Sequence, residues 1–534
     1  MRAISNLGGH STVFMPGGSP CFIVKSSKST PKVIGLQGAG VRGMSSFHTE
    51  GCDRGFIYTD INGIARVSQL PSDTTFELGM MLQRVPLGQA VHAVTYHSPM
   101  ESYIVGTSRE AEFELPKDDE NHREWQREEI SFKPIVEQSY LKLITPINWS
   151  VIDTIELDPC EIIMCMKTLN LEVSETTNER RQMVVVGSAL SKGEDIAIKG
   201  RLRVYDIVIV VPEPDRPETN KKLKLIAKED IPRGAITAIT EVGNQGFMLV
   251  AQGQKCMVRG LKEDGTLLPV AFMDMNCYVT SVKELRGTGL CVMADAVKGA
   301  WFAGYTEEPY KMILFGKSAT NMEVVAADLL PDGKDLYIVV ADADCNLHIM
   351  QYDPERKSLF CSFRFKLILL DPKSLHGHLL LHRTTFSLGG HLPTTMTLLP
   401  RTTAPTTLPA TPDAMEAAAD ATIPEHEILM TSNTGSIALL SPLSETQYRK
   451  LNTLASHLTN TLYHACGLNP RAYRVSKDAP EGMVGGRTIV DGGMLLRWME
   501  LGSQRRAEVA GRVGVDVEEV REDLAALMGG LGYL

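Results

Sequence analysis

No apolar run in this 534-residue chain approaches the ~18 residues that a membrane-spanning helix requires, so no membrane association is expected. Residues 1–18 are polar and glycine-rich and lack the apolar centre of a secretory signal. Cysteine is sparse: there are ten, none in the C-x-x-C pairs that zinc ribbons use, and Cys160 and Cys165 would fall on opposite faces of a strand. Reduced, buried thiols are the expectation, which suits the cytosol or nucleus. Positive charge is also short. Lys and Arg number 54 against 64 Asp and Glu, a net charge of −10, so the cation excess of a general phosphate-coating protein is missing and only a local basic groove stays open. Asn148-Trp149-Ser150 fits a glycosylation triplet but has no secretory context.

The remaining composition, 43% hydrophobic and 22% charged, is that of a globular protein. Its length exceeds what one core usually serves, and two or three domains are expected.

The chain repeats itself. Residues 183–213 read as a β-hairpin: Val184, Val185 and Val186, a polar loop from Ser191 to Lys199, then Leu202, Val204 and Ile207, with Gly187, Gly193 and Gly200 expected at turns. The same form returns at residues 56–67, 248–258, 291–302, 338–349 and 428–440, each with a polar marker: Asp60, Gln252, Asp295, Asp342 and Asn433. Turn chemistry accounts for such markers without catalysis. Another short strand precedes most copies, as at 236–239 and 279–282, so each unit holds four strands in roughly 45 residues, the period of a propeller blade. With residues 103–108 the copies number seven, six of them after residue 80. The expected fold is mainly β, a WD40-like seven-bladed β-propeller, complete or incomplete, followed by a small α-helical C-terminal domain. The Trp-Asp pair of the commonest propeller repeat is absent.

Three stretches break the period. Residues 116–129 are a charged run expected as a solvated loop, and 401–424, rich in Thr, Ala and Pro, are expected to be a disordered insertion. From Ser444 the apolar period becomes 3.6. Tyr448, Leu451, Leu454, Leu458 and Leu462 make one stripe, Ser444 and Gln447 a capping box, and Gly467 a stop. Further helices are expected near Asp491 and Ser503, and a last one opened by Asp516 and Glu519 and carrying Val520, Leu524 and Leu527.

No residue earns a catalytic, cofactor-binding or metal role. Gly316-Lys317-Ser318 resembles the end of a phosphate-binding loop, but position 311 is Lys where a glycine is needed. His426-Glu427 has Met430 in place of the second histidine of a zinc helix, and no G-x-S-x-G elbow occurs. His376, His378 and His382 share a strand face but would spread over roughly 20 Å. Arg54 to Tyr58 resembles the aromatic strand of an RNA-recognition motif, with Ile57 where Gly or Ala belongs. Residues 505–527 have helix-turn-helix form about Gly514, yet Glu518, Glu519, Glu522 and Asp523 face a single Arg521, the wrong sign for a DNA-recognition helix.

Residues, order and spacing together resemble a known family. Gly193-Glu194-Asp195, Gly200-Arg201, Val204-Tyr205-Asp206 and Val210 to Pro214 look like the signature shared by the large (A) subunit of the cleavage and polyadenylation specificity factor, the propeller adaptor of cullin ubiquitin ligases and the propeller subunit of splicing factor 3b. Arg54 to Tyr58, Cys165-Met166-Lys167 and Leu381 to Phe386 are closest to the polyadenylation subunit, and to a fungal one. The resemblance covers about residues 10–534. It implies that 1–80 end a second β-propeller, that 81–443 form most of a third, normally completed by strands from the family's N-terminus, and that 444–534 are a helical domain. A cut propeller is expected to expose strand edges. Arg356 to Leu370 departs from the family, as a retained intron or sequence error would.

The function so implied is a noncatalytic scaffold of nuclear pre-mRNA 3′-end cleavage and polyadenylation. Its partners would be WD-repeat, zinc-finger and endonuclease subunits, with pre-mRNA held directly or through them. No cofactor and no small-molecule substrate are implied. The alternatives are a ubiquitin-ligase adaptor or spliceosomal scaffold and, in a different class, a propeller hydrolase, which needs acid and base groups converging at a channel mouth.

Overall fold

The computed structural model describes residues 1–7, 10–17, 20–24, 32–36, 40–70, 85–113, 133–174, 176–214, 216–333, 335–352, 378–400, 426–462, 469–470, 474 and 488–529. The stretches singled out at 116–129, 356–370 and 401–424, together with His376 and Gly467, lie outside them. The chain divides into two compact units: residues 85–442 with 469–489, and residues 1–84 with 443–468 and 490–534.

Among the described residues the larger unit contains six sheets in sequence order, antiparallel but for one short added strand. They are β8 to β11 (Ala90–His97, Ser102–Glu112, Ile135–Ile144, Val151–Glu156), β12 to β15 (Glu161–Ser174, Glu179–Leu190, Lys199–Ile209, Lys221–Ile231) and β16 to β19 (Ile236–Val242, Phe247–Gln252, Lys255–Leu261, Leu267–Asp274). Next come β20 to β23 (Val279–Leu285, Leu290–Asp295, Ala300–Glu307, Tyr310–Lys317), then β24, β25, β26 and β28 (Val324–Asp332, Asp335–Asp342, Asn346–Gln351, Leu381–Ser387), and last β29 to β31 (Pro393–Pro400, His426–Ser432, Ile437–Leu440). A two-residue strand, β27 (His378–Leu379), adds to β23 in parallel. The first strand of each sheet packs on the first strand of the next, β8 on β12, β12 on β16, and so on to β29. This is the blade order of a β-propeller.

The core consists of layers between successive sheets, and that explains the sequence pattern. Val184 and Val186 on β13 pack with Ile104 and Leu141 of the preceding sheet, while Val185 packs with Ile236 and Val250 of the following one. Each second strand is buried on both faces, so it reads as an unbroken apolar run rather than an alternating one. Cys291 and Met293 face one layer and Val292 and Ala294 the next; Ile338 and Val340 alternate with Val339 and Ala341 in the same way. Each such Val, Leu or Ile contributes about 1.5–3 kcal/mol by leaving water.

Two glycines serve a different purpose from the one expected. Gly187 and Gly200 lie within β13 and β14, not in turns. A Cβ on Gly187 would stand 2.5 Å from Ile236 Cγ2 and 2.7 Å from Cys165 Sγ, and one on Gly200 would stand 2.5 Å from the Gly234 carbonyl. The next sheet approaches too closely there for any side chain. Gly193 is in the connecting loop, at φ 138°.

In the smaller unit, β5 to β7 (Val41–Thr49, Cys52–Asp60, Ala65–Ser68) carry the expected copy at 56–67. A further sheet precedes it, β1 to β4 (Arg2–Leu7, His10–Met15, Cys21–Val24, Lys32–Gly35), which the repeat does not announce because its strands are short and no polar marker follows an apolar run there. The helices are α1 (Glu445–Thr461), α2 (Gly492–Leu496) with a 3₁₀ turn to Glu500, α3 (Ser503–Val513) and α4 (Val517–Gly529). Ser444 and Gln447 form the capping box, and Leu451, Leu454 and Leu458 are buried with Trp498, Val520 and Leu524. Helix α1 ends at Thr461 because Leu462 is already extended (ψ 151°), before Gly467 is reached. No helix among the described residues is long and apolar enough to cross a membrane.

Candidate functional site

Three of the repeating markers, Asp60, Asp295 and Asp342, are turn clamps. Asp60 Oδ1 accepts the amide N–H of Asn62 and of Ile64, both at 2.9 Å. Asp295, fully buried, accepts from Val297 (2.9 Å), Lys298 and Gly299 (3.1 Å) on Oδ1, while Oδ2 accepts the Trp301 indole N–H at 2.9 Å. Asp342 Oδ1 accepts from the Asn346 amide at 2.7 Å, and Oδ2 meets Asn346 Nδ2 at 3.0 Å and His348 Nε2 at 2.8 Å. Gln252 Oε1 accepts from Arg259 Nη2 at 3.1 Å. In the last copy the clamp is Ser432, whose hydroxyl accepts from the Ser436 amide at 3.1 Å, and the Asn433 backbone N–H reaches the Leu392 carbonyl. One carboxylate thus satisfies up to three turn donors that would otherwise be lost to water or buried unpaired.

Two clusters combine a hydroxyl, an imidazole and a carboxylate. On β8 to β10, the buried Ser108 hydroxyl donates to Glu137 Oε1, and His92 Nε2 lies 2.6 Å from Ser108 Oγ and 3.1 Å from the same Glu137 oxygen. A nucleophilic triad needs the acid behind the imidazole, on Nδ1 when Nε2 faces the hydroxyl. Here acid and hydroxyl share one ring nitrogen, so no relay is formed. In the second cluster Asp342 holds His348 Nε2, while His348 Nδ1 is 3.2 Å from both Thr385 Oγ1 and His382 Nε2. Thr385 is buried between strands β26 and β28, which leaves its hydroxyl no approach for a substrate. Burial works to raise the Asp342 carboxyl, but hydrogen bonds from His348 and Asn346 hold it below the usual range.

The second cluster carries a pH dependence. Burial, and then the neighbouring His348, press the His382 imidazole from 6.5 down to about 4, and its Nδ1 has no partner to receive a proton's hydrogen bond. Folded, His382 stays neutral in weak acid; unfolded, it binds a proton near 6.5. Stability therefore falls as the pH drops from about 6.5 through about 4, by an amount that solvent screening at this partly exposed ring reduces. Urea midpoints at pH 7 and pH 4.5 should show a larger loss in the wild type than in His382→Gln.

A buried ion cluster was invisible in the sequence. Glu161, at the start of β12 and fully buried, accepts from Arg201 Nη1 at 2.8 Å, Arg203 Nη2 at 2.6 Å and Ser188 Oγ at 2.7 Å. Arg201 also pairs with Asp158 and Asp230. The hydrogen bond from Arg201 holds the Asp230 carboxyl below the usual range. The one available signal was Arg201 and Arg203 at alternate positions of an otherwise apolar strand.

A second group lies in the channel that the first strands surround. Each of those strands carries a register shift at the same place, between 91 and 93, 163 and 165, 236 and 238, 279 and 281, 324 and 326, and 393 and 395. Two residues past each shift stand Thr95, Lys167, Thr240, Lys283, Asp328 and Thr397, a polar layer in equivalent positions. Lys283 Nζ is 3.3 Å from Asp328 and 2.7 Å from the Met396 carbonyl.

The motifs weighed in the sequence fall elsewhere. Phe56 and Tyr58 are stacked on each other (5.8 Å) and buried in the core of the smaller unit, unavailable to bases. Lys317 ends β23 with its ammonium over the Trp301 ring, and the Ser318 hydroxyl donates to the Lys298 carbonyl. Cys165 is within β12 and donates to the Ile236 carbonyl, its thiol pushed up to about 12 by burial. Cys160 is in the turn before, at φ 62°. Helices α3 and α4 do form a helix-turn-helix about the left-handed Gly514, and Glu519 and Asp523 of α4 are paired with Lys450 of α1. Among the described residues no three His, Cys, Asp or Glu side chains are placed to hold a metal.

Residues 138–500 match the CPSF A subunit region, and residues 1–70 match the RSE1/DDB1/CPSF1 second beta-propeller. The chain is 58% identical over 523 residues to protein cft1 of Neurospora crassa, covering 96% of this chain and 34% of that protein. It is 50% identical over 536 residues to protein CFT1 of Coccidioides immitis, covering 100% and 37%. Protein cft1 of Schizosaccharomyces pombe is 32% identical over 535 residues, covering 100% and 35%. The chain spans about a third of the length of the curated relatives it matches.

Proposed function

The chain belongs to the CPSF A subunit family, and on that premise we propose that it is part of a noncatalytic scaffold of the nuclear complex that cleaves and polyadenylates pre-mRNA. Residues 1–80 end one β-propeller, 81–443 form most of another, and 444–534 form the helical domain. The surfaces hold WD-repeat, zinc-finger and endonuclease subunits and help present them to the polyadenylation signal, with pre-mRNA bound directly or through those partners. The observation that carries this reading is the continuous family match over residues 138–500. The sheets add support: their polar clusters are spent on turns and on strand-to-strand bracing, which rigidifies a surface rather than preparing a reaction.

Affinity purification of the full-length protein tests it. Polyadenylation factors are the expected partners; a cullin, or a U-rich spliceosomal particle, would move the assignment to another branch of these propeller proteins.

A further inference from the structure

Three successive first strands meet at one side chain, and one of its contacts passes over the strand between. Lys283 on β20 reaches past Asp328 on β24 to the Met396 carbonyl on β29. Lys167 on β12 feels the charges of both Lys283 and Asp328. Contacts that skip a sheet cross the central channel.

The charges there do not balance. Asp328 is matched by Lys283, and among the described residues no oxygen accepts from Lys167 Nζ. Burial first, then Lys283, press the Lys167 ammonium down to about 8, so at neutral pH it is still mostly charged. A sequestered ammonium without an acceptor is expensive, and an acceptor of opposite charge removes that cost. Lys283 has spent two of its three donors and can offer the third. Two ammonium groups and one carboxylate at this level make a site for a small ion.

We propose that the channel of the larger unit binds a small oxyanion of the phosphate class between Lys167 and Lys283. The ion would tie β12 to β20 and, through Asp328 and Met396, to β24 and β29, four of the six sheets. The groups that act on Lys167 are Lys283, Asp328 and the uncharged Cys165 thiol, so the cationic pair is lost when Lys167 deprotonates.

The test uses the 534-residue chain and inorganic phosphate, titrated against chloride at matched ionic strength, with binding read by calorimetry and by the unfolding temperature. Phosphate should bind and raise the unfolding temperature at pH 7, and the effect should disappear at pH 9.5. Lys167→Met, which keeps the stem and removes the charge, should weaken binding at least ~10-fold, one factor of ten for each 1.4 kcal/mol. Lys167→Arg should retain it. Because Lys167→Met removes an unpartnered charge, it should fold at least as stably as the wild type in chloride. Equal behaviour in phosphate and chloride overturns the proposal. So does binding that persists in Lys167→Met, which would mark an adventitious ion only.

Discussion

Glu161→Ala should destabilise the larger unit by about 3–5 kcal/mol, the usual cost of leaving buried charges without their partner. Arg201 and Arg203 are both buried and both point their guanidinium groups at this carboxylate. Arg201 keeps Asp158 and Asp230 after the change, but of its ion pairs Arg203 keeps only Asp158 at 3.4 Å, and the Ser188 hydroxyl loses its 2.7 Å acceptor and is left with the longer contact to the Arg201 carbonyl at 3.2 Å. Urea unfolding at pH 7 measures the effect. The triple change Glu161→Leu, Arg201→Met, Arg203→Met should cost less than Glu161→Ala alone, because it removes the charges together instead of orphaning two. If the triple variant is instead the sum of its single changes, the residues do not act as one cluster.

Asp295→Ala should cost about 3 kcal/mol or more, since it strips three turn amides and the buried Trp301 indole N–H of their acceptor in one step. Asp295→Asn keeps Oδ1 for the turn but sets an amide N–H₂ against the Trp301 N–H, and should cost about 1–2 kcal/mol. Trp301 fluorescence should shift to the red in the alanine variant as the turn opens, and hardly at all in the asparagine one. A silent Asp295→Ala would mean that water replaces the carboxylate freely and that the marker is not a clamp.

What could be read ahead of the structure was what local chemistry writes into consecutive residues. Val184 to Val186 and Ile338 to Ala341 announced themselves because both of their faces are packed. Asp60, Asp295 and Asp342 were legible as turn residues because each bonds amides only two to four residues ahead. Helix α1 was legible from its leucine stripe and its cap.

What escaped depends on register. The Glu161 cluster joins residues 40 and 42 apart, and the Lys283 to Met396 contact spans 113 residues. Lys167 was visible only as part of a family resemblance; its place in a channel layer follows from a register shift repeated six times, which no periodicity in the sequence displays. A hairpin needs turn glycines nearby, so the sequence pattern puts Gly187 and Gly200 in turns, whereas the neighbouring sheet's approach is what excludes a side chain there.

The scaffold account is tested most directly in extract depleted of the full-length protein, with assembly of the processing complex and pre-mRNA 3′-end cleavage both measured after adding it back. Ser108→Ala and Thr385→Val remove the hydroxyls of the two clusters that combine hydroxyl, imidazole and acid. Both variants should restore assembly and cleavage as fully as the wild type. A variant that assembles the complex yet leaves the pre-mRNA uncut would contradict the account and make this chain part of the catalytic machinery.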